Sequence, residues 1–192
     1  MTQSNLLTAR HCRAGDSTLI VADIQAQAGN AMPAKVLNRV VLNATLLIRS
    51  AALLGVPVLH SEHTPATNGA TLPAVEDALP ADALHFEKQS FSCCGADGFA
   101  GALDRSGRRQ VVVVGIESHI SVLQTALDLS SAGLELYVVE DAICSRRLEN
   151  YQNALDRMRQ SGITVVSAES VVFEWLGSSA HPEFAAVQNL LR

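Results

Sequence analysis

Apolar runs typical of buried strands alternate with helical patterns along the whole chain. Runs this continuously apolar are usually buried on both faces, as happens when helices cover a parallel sheet. The predicted strands are Ser17–Gln25, Val56–Glu62, Ala83–Ser90, Arg109–Ile116, Leu134–Ile143 and Ile163–Glu169. We therefore predict an α/β fold: a three-layer α/β/α sandwich around a mostly parallel, six-stranded, Rossmann-like sheet.

Helical patterns fill most of the sequence between the strands. They cover Pro33–Gly55, Asp97–Gly107, His119–Ala132, Arg147–Gly162 and Glu169–Gly177. A stretch rich in Pro, Asn and Gly, His63–Asp82, is typical of turns. Neither a linker nor a repeat interrupts this alternation, so we predict one domain over residues 1–192.

Composition excludes several classes of protein. A hydrophobic content of 48% with 17% charged residues is typical of a compact chain, and the net charge of −5 argues against nucleic acid as a partner. The longest purely apolar run, Val111–Val114, is too short to cross a bilayer, so we expect no membrane partner. The first residues lack a signal-peptide pattern and the four cysteines form no disulfide framework, so we expect a cytoplasmic protein.

Three polar residues occupy the places where chemistry is expected in such a fold. Ligands bind beyond the carboxyl ends of parallel strands. Asp23 closes the first predicted strand, Lys88 closes the third, and Ser121 lies in the first helical turn after the fourth. A carboxylate in an apolar strand is costly unless it has partners, which favours a functional role for Asp23.

Together these residues could carry out nucleophilic attack on a carbonyl or amide carbon. A helix N-terminus stabilises an anion, and its free N–H groups can hold an oxyanion. Asp23 could act as general base for a nucleophile at position 121, and Lys88 could hold that carboxylate in place. The alternative roles are a solvated strand-end lysine for Lys88 and a helix cap for Ser121.

The chain resembles the isochorismatase-like cysteine hydrolase family, which includes nicotinamidases and other small amidases. The resemblance runs from "LIVADIQ" through "EKQSFSCC" and "GIESHISVLQTALDL" to "VVEDAICSR". It implies a catalytic triad of Asp23, Lys88 and residue 121, where the family has cysteine. It also implies an oxyanion site from the backbone of Ile116, Glu117 and Ser121, with a cis peptide between Ile116 and Glu117.

Ser121 departs from the family pattern, because a serine hydroxyl is a much poorer nucleophile than a thiol at neutral pH. Three explanations fit: a Cys→Ser variant made to trap substrate, a natural member that does not need a thiol, or a member that binds ligand without chemistry. Our leading hypothesis is hydrolysis of a small-molecule amide or other C–N bond. The alternatives are vinyl-ether hydrolysis of the isochorismatase type, which needs only Asp23 and Lys88, and a catalytically silent binding protein.

Other candidate residues have plainer interpretations. We expect His119 to be a structural residue at the helix start, because two residues apart on one helix it does not face Ser121. Cys93 and Cys94 follow Lys88 closely, and we expect them to be packed rather than to substitute for the missing thiol. The sequence "HSEH" at His60–His63 lacks a further nearby histidine, so we predict no metal and no cofactor.

Specificity is expected to reside in two loops. By resemblance, His63–Pro80 lies over the pocket, and Phe91–Phe99 is the second element that shapes the choice of a small-molecule substrate. The resemblance also implies a homo-oligomer, a dimer or larger.

Overall fold

A single parallel sheet forms the centre of the molecule. The computed structural model describes residues 11–191, and within them six strands run in the order β3-β2-β1-β4-β5-β6. All neighbouring strands pair in parallel. The strands are β1 (Ser17–Ala22), β2 (Val58–His63), β3 (Leu84–Lys88), β4 (Gln110–Ile116), β5 (Glu135–Cys144) and β6 (Thr164–Val166). The predicted fold class is confirmed.

Helices connect the strands and cover both faces of the sheet. The α-helices are α1 (Ala26–Asn30), α2 (Ala34–Leu54), α3 (Pro65–Asn68), α4 (Pro73–Glu76), α5 (Phe99–Ser106), α6 (Leu123–Ser131), α7 (Leu148–Gln160), α8 (Ala168–Leu176) and α9 (Phe184–Leu190). Short 3-10 turns cover Ala14–Asp16 and Cys93–Gly95, and a π-helical turn covers Ser118–Val122.

Most boundaries agree with the sequence pattern to within two or three residues, and the exceptions have local causes. The first strand ends at Ala22 rather than Gln25, because Asp23 takes a left-handed conformation with φ of 54°. The last strand is only three residues long, because the Ser167 hydroxyl accepts a hydrogen bond from the N–H of Ser170 and starts α8 early. The pattern missed α1, α3, α4 and α9, which are at most seven residues long and too short for a periodic signal.

Two apolar cores lie on opposite faces of the sheet. One packs Leu19 and Val21 of β1 against α2, α8 and α9. The other packs Ile20 and Ala22 of the same strand against α5, α6 and α7. Alternate residues of β1 therefore enter different cores, which explains why the strand reads as continuously apolar.

The helix α2 is long and apolar enough to cross a membrane by length and composition alone, although the sequence analysis found no such segment. A buried helix of a globular core satisfies the same criteria. Here Val40, Ala44, Leu47 and Ile48 of α2 are fully buried in the first core.

The strand order places a crevice between β1 and β4. Chain connections run outward in opposite directions from this pair, and open parallel sheets bind ligands at such a reversal. Gly115 allows the two strands to meet there, because a Cβ atom on it would lie 2.3 Å from the carbonyl oxygen of Ala22. Asp23 follows Ala22 and Glu117 follows two residues after Gly115, so both lie at the mouth of this crevice.

Candidate active site

Asp23 is the centre of a buried hydrogen-bond network. Its residue exposure is 6%, and three side chains donate to its carboxylate. The Lys88 ammonium and the Ser121 hydroxyl both bind Oδ2, at 2.7 and 2.6 Å. The hydroxyl of Ser61 donates to Oδ1 at 2.7 Å. The structure thus brings together the three residues predicted from sequence, and it adds Ser61.

Lys88 is held so that its ammonium points inward. It is the last residue of β3, next to β2, and its side chain is fully buried. Besides Asp23, the ammonium donates to the carbonyl oxygens of Ser90 and Phe91, at 3.2 and 2.8 Å. These three acceptors match the three protons of an ammonium group, so the charge is compensated without water.

Ser121 lies in the π-helical turn that precedes α6, and it is 5% exposed. Such turns interrupt a regular helix and are frequent at functional sites. The Ser121 hydroxyl must donate to Asp23, because an ionised carboxylate only accepts hydrogen bonds. The hydroxyl at the predicted nucleophile position and the carboxylate of the predicted base are therefore in direct contact.

The backbone around the site is strained at three positions. Asp23, Thr64 and Glu117 are the non-glycine residues with positive φ among those described, at 54°, 43° and 57°. Each follows the end of a strand, β1, β2 or β4, at the same edge of the sheet. Left-handed backbone costs free energy for such residues and is concentrated at functional sites.

The proposed oxyanion residues line the same pocket as the triad, but one implied detail is absent. The peptide bond between Ile116 and Glu117 is trans, as are all peptide bonds within residues 11–191. Glu117 has a left-handed backbone conformation at this point, with φ of 57°. Ile116, Glu117 and Ser121 all border the pocket.

The pocket over Asp23 has a volume of about 290 Å³. Residues from both predicted specificity loops line it, namely His63, Asn68 and Phe91. The short helix α1 contributes Gln27 and Ala28, which the sequence pattern had left without a role. A cavity of this size accommodates a small molecule.

A charged pair that the sequence did not predict lies at the rim of the pocket. The Nε of Arg146, a residue just beyond β5, contacts Oε1 of Glu117, and both residues line the pocket. Half of the Arg146 side chain is exposed, whereas that of Glu117 is 14% exposed. The pairing depends on a register shift between β4 and β5, which no local sequence signal reveals.

His119 contacts groups away from Ser121. Its Nδ1 lies 3.0 Å from the Ser145 hydroxyl and 3.4 Å from Oε2 of Glu117. Its Nε2 lies 3.2 Å from the side-chain amide nitrogen of Asn150. His119 thus connects the start of α6 to the segment that begins α7, in agreement with its predicted structural role.

None of the four cysteines lines the pocket over Asp23. All four are reduced, and burial raises the pKa of each one, to about 11 for Cys12 and about 12 for Cys144. Cys93 is completely buried with its Sγ 3.3 Å from the Ser61 hydroxyl, and the Asp23 charge adds to the effect of burial in raising the pKa of its thiol. A thiol with a raised pKa is a weak nucleophile.

Within the "HSEH" sequence, His60 and Glu62 contact residues of β3 and of the loop that contains Thr71. The ring of His60 stacks on that of His85 at 4.6 Å, and His85 pairs with Oε2 of Glu62 at 3.3 Å. Oε1 of Glu62 accepts hydrogen bonds from the backbone and hydroxyl of Thr71, at 2.6 and 2.7 Å. Within residues 11–191, no group of three or more His, Cys, Asp or Glu side chains has the geometry of a metal site.

Comparison with known proteins connects this site to one family. The sequence profile of the isochorismatase domain matches residues 17–170. Isochorismatase domain-containing protein 1 from Salmo salar is 36% identical over 146 residues, 76% of this chain and 51% of that protein. Isochorismatase domain-containing protein 2 from Bos taurus is 34% identical over 180 residues, 93% of this chain and 84% of that protein. The chain therefore spans about half the length of the first relative and most of the second.

Solved structures share the fold closely. The MAR1 ribonuclease from Caenorhabditis elegans has a TM-score of 0.89 and 31% identity, with coverage of 94% of this chain and 92% of that one. The YcaC gene product from Escherichia coli, described as an octameric hydrolase of unknown specificity, has a TM-score of 0.86. It is 20% identical, with coverage of 95% of this chain and 89% of that one, so this likeness concerns the fold alone.

Proposed function

This chain belongs to the isochorismatase family of hydrolases, and we propose that it hydrolyses the C–N bond of a small-molecule amide through a nucleophile at position 121. The observation that carries the proposal is the shared oxygen of Asp23. Oδ2 receives both the Ser121 hydroxyl and the Lys88 ammonium, at 2.6 and 2.7 Å. A nucleophile, a base and a cation thus meet at one buried atom.

The reaction follows from this geometry. Asp23 Oδ2 accepts the proton of residue 121 as its side chain attacks the amide carbonyl carbon. Backbone N–H groups near Ile116, Glu117 and Ser121 bind the oxyanion that forms. Asp23 then gives the proton to the leaving amine as the C–N bond breaks. In the second half of the reaction Asp23 takes a proton from the water that attacks the acyl intermediate and returns it to residue 121 as the acid product leaves.

The buried ammonium of Lys88 holds the base in place for this proton transfer. It remains fixed by the carbonyl oxygens of Ser90 and Phe91 while the carboxylate gains and loses a proton. Its positive charge also lies close to residue 121, where it stabilises a developing oxygen or sulfur anion. For a thiol, these two effects suffice for activation, whereas a serine hydroxyl needs a stronger base than a carboxylate.

The size of the pocket and the net charge of the whole chain support a small substrate. About 290 Å³ accommodates a compact molecule, and the chain carries a net charge of −5. Neither feature favours a polyanionic nucleic acid, although one structural relative is a ribonuclease.

The test is ammonia release from a panel of small amides, by the protein with serine at position 121 and by Ser121→Cys. We expect little or no turnover with serine and clear turnover with cysteine. A second candidate, cleavage of a vinyl ether of isochorismate type, rests on the intact Asp23–Lys88 pair alone. Isochorismate is therefore included, with Ser121→Ala as the discriminating variant, because vinyl-ether cleavage should survive that change and amide hydrolysis should not.

Silence of all three proteins on every amide and on isochorismate would favour the binding-only alternative. A catalytically silent protein would bind panel members without converting them, which calorimetry detects.

Three features stay predictions: a single domain, a cytoplasmic location and homo-oligomerisation. Fractionation of cells can test the location, and light scattering can test the oligomeric state.

A further inference from the structure

Ser61 is joined to Asp23 by two hydrogen bonds. It lies next to Ala22 in the parallel pairing of β1 and β2, and its carbonyl oxygen accepts the N–H of Asp23 at 3.1 Å. Its hydroxyl donates to Asp23 Oδ1 at 2.7 Å. Ser61 is 2% exposed and does not line the pocket, so it has no access to a substrate.

The direction of each hydrogen bond around Ser61 follows from chemistry. A carboxylate accepts hydrogen bonds, so the single hydroxyl proton of Ser61 points to Asp23. The Sγ of Cys93 lies 3.3 Å from the Ser61 oxygen, and the thiol must therefore be the donor in that contact. The chain of donors runs from Cys93 to Ser61 to Asp23, and each hydroxyl or thiol proton in it has one acceptor.

The two carboxylate oxygens of Asp23 therefore have different hydrogen-bond donors. Oδ1 has Ser61 as its side-chain donor, while Oδ2 receives Lys88 and Ser121. The terminal torsion of an aspartate is soft and has no sharply preferred angle. Lys88 and Ser121 hold only Oδ2, and the Ser61 donor on Oδ1 adds the second fixed point that defines the plane of the carboxylate.

We infer that Ser61 is a positioning residue, which locks the Asp23 carboxylate so that Oδ2 faces the nucleophile at position 121. This inference deepens the proposed amide hydrolysis and rests on it for its catalytic consequence. The hydroxyl of Ser61 acts only through Asp23. Its loss should therefore change the rate of proton transfer and leave substrate binding almost unaffected.

Two measurements test this role, and the first requires no activity. A crystal structure of Ser61→Ala is expected to show the Asp23 carboxylate rotated, with Oδ2 beyond hydrogen-bond distance of the Ser121 hydroxyl. The second is amide turnover in the Ser121→Cys background. There, adding Ser61→Ala should lower kcat roughly 10- to 100-fold, the effect of a misplaced catalytic group, and change KM less than about twofold.

Two further variants distinguish positioning from packing. Ser61→Thr keeps the hydroxyl and should restore most of kcat. Ser50, on α2, is another fully buried serine, and its hydroxyl has no hydrogen-bond partner within residues 11–191. Ser50→Ala therefore controls for the loss of a buried oxygen. Its kcat should match that of the Ser121→Cys parent.

The outcomes separate this inference from the proposed function. A carboxylate that stays in place in Ser61→Ala overturns the positioning role, whatever happens to turnover. A rotated carboxylate in a protein whose Ser121→Cys form hydrolyses no amide supports the positioning role and contradicts the proposed reaction. Rotation together with a fall in kcat that Ser61→Thr reverses supports both.

Discussion

The hydroxyl of Ser121 lies 2.6 Å from Oδ2 of Asp23, although 98 residues separate them in the chain. The sheet creates this contact, because β1 and β4 are direct neighbours and Asp23 and the π-helical turn both follow their carboxyl ends. Residue 121 therefore contacts its proposed base before any substrate binds. Such preorganisation reduces the movement of side chains that is needed to reach the reactive geometry.

Asp23→Asn should abolish turnover, because an amide oxygen cannot take the proton of residue 121. In the Ser121→Cys background we expect kcat to fall at least about 100-fold in an ammonia-release assay. Asp82→Asn, an exposed aspartate outside this pocket, is the matched control. Full turnover by Asp23→Asn would exclude Asp23 as the base.

Lys88→Met should destabilise the protein as well as inactivate it. Removal of one partner from a buried ion pair leaves the other charge uncompensated, at a cost of about 3–5 kcal/mol. Urea denaturation should show a fall of that order in the free energy of unfolding. Lys35→Met removes an exposed lysine of α2 and should change this free energy little; equal effects of the two substitutions would refute the buried-pair account.

Gly115→Ala should disrupt the junction of β1 and β4. The added Cβ would lie 2.3 Å from the Ala22 carbonyl oxygen, so the two strands must separate beneath Asp23. We expect a loss of about 3 kcal/mol or more in the free energy of unfolding. Gly15→Ala, where a Cβ meets no atom within 4 Å, is the control, and similar losses in both variants would argue against a close approach at Gly115.

Acid should weaken the protein through His60. Burial and the neighbouring His85 lower the pKa of His60 from 6.5 to about 4, so the unfolded chain binds a proton more readily than the folded one. The free energy of unfolding therefore has its full value above about pH 6.5. It falls as the pH drops towards 4, by roughly 3 kcal/mol in total.

Glu62 acts in the same direction. Burial alone would raise its pKa, but the hydrogen bonds from Thr71 and the charges of His85 and His60 hold the pKa below its usual value. Its contribution to stability is therefore also lost in acid.

The variant His60→Phe tests the contribution of His60, because it keeps a ring against His85 without a titrating group. Urea denaturation between pH 7 and pH 4 should show that its free energy of unfolding depends less steeply on pH than that of the parent. A slope equal to that of the parent would rule out His60 as a source.

Much of the candidate site was predictable, because parallel strands bring their carboxyl ends to one edge. That rule located Asp23, Lys88 and Ser121 from residues in three separate segments. It also applies to Ser61, a polar residue near the end of β2, but small hydroxyl residues are common in strands and give no distinct signal. A buried carboxylate stands out in an apolar run, whereas a buried serine does not.

Features that depend on register or on loop packing were not predictable. The contact of Arg146 with Glu117 requires the shift between β4 and β5, and the lining by α1 requires a five-residue helix without periodicity. Left-handed backbone at Asp23, Thr64 and Glu117 is also invisible in the sequence, because none of them is glycine. Tertiary packing imposes these conformations against local preference.

Trapping the covalent intermediate tests nucleophilic catalysis at residue 121 directly. The Ser121→Cys protein is mixed with the amide that it hydrolyses fastest, quenched with acid within milliseconds, and examined by intact-protein and peptide mass spectrometry. We expect an adduct with the mass of the acyl group on residue 121, and we expect it to be absent when Asp23→Asn is added. Ammonia release without any adduct on residue 121 would contradict nucleophilic catalysis at this position.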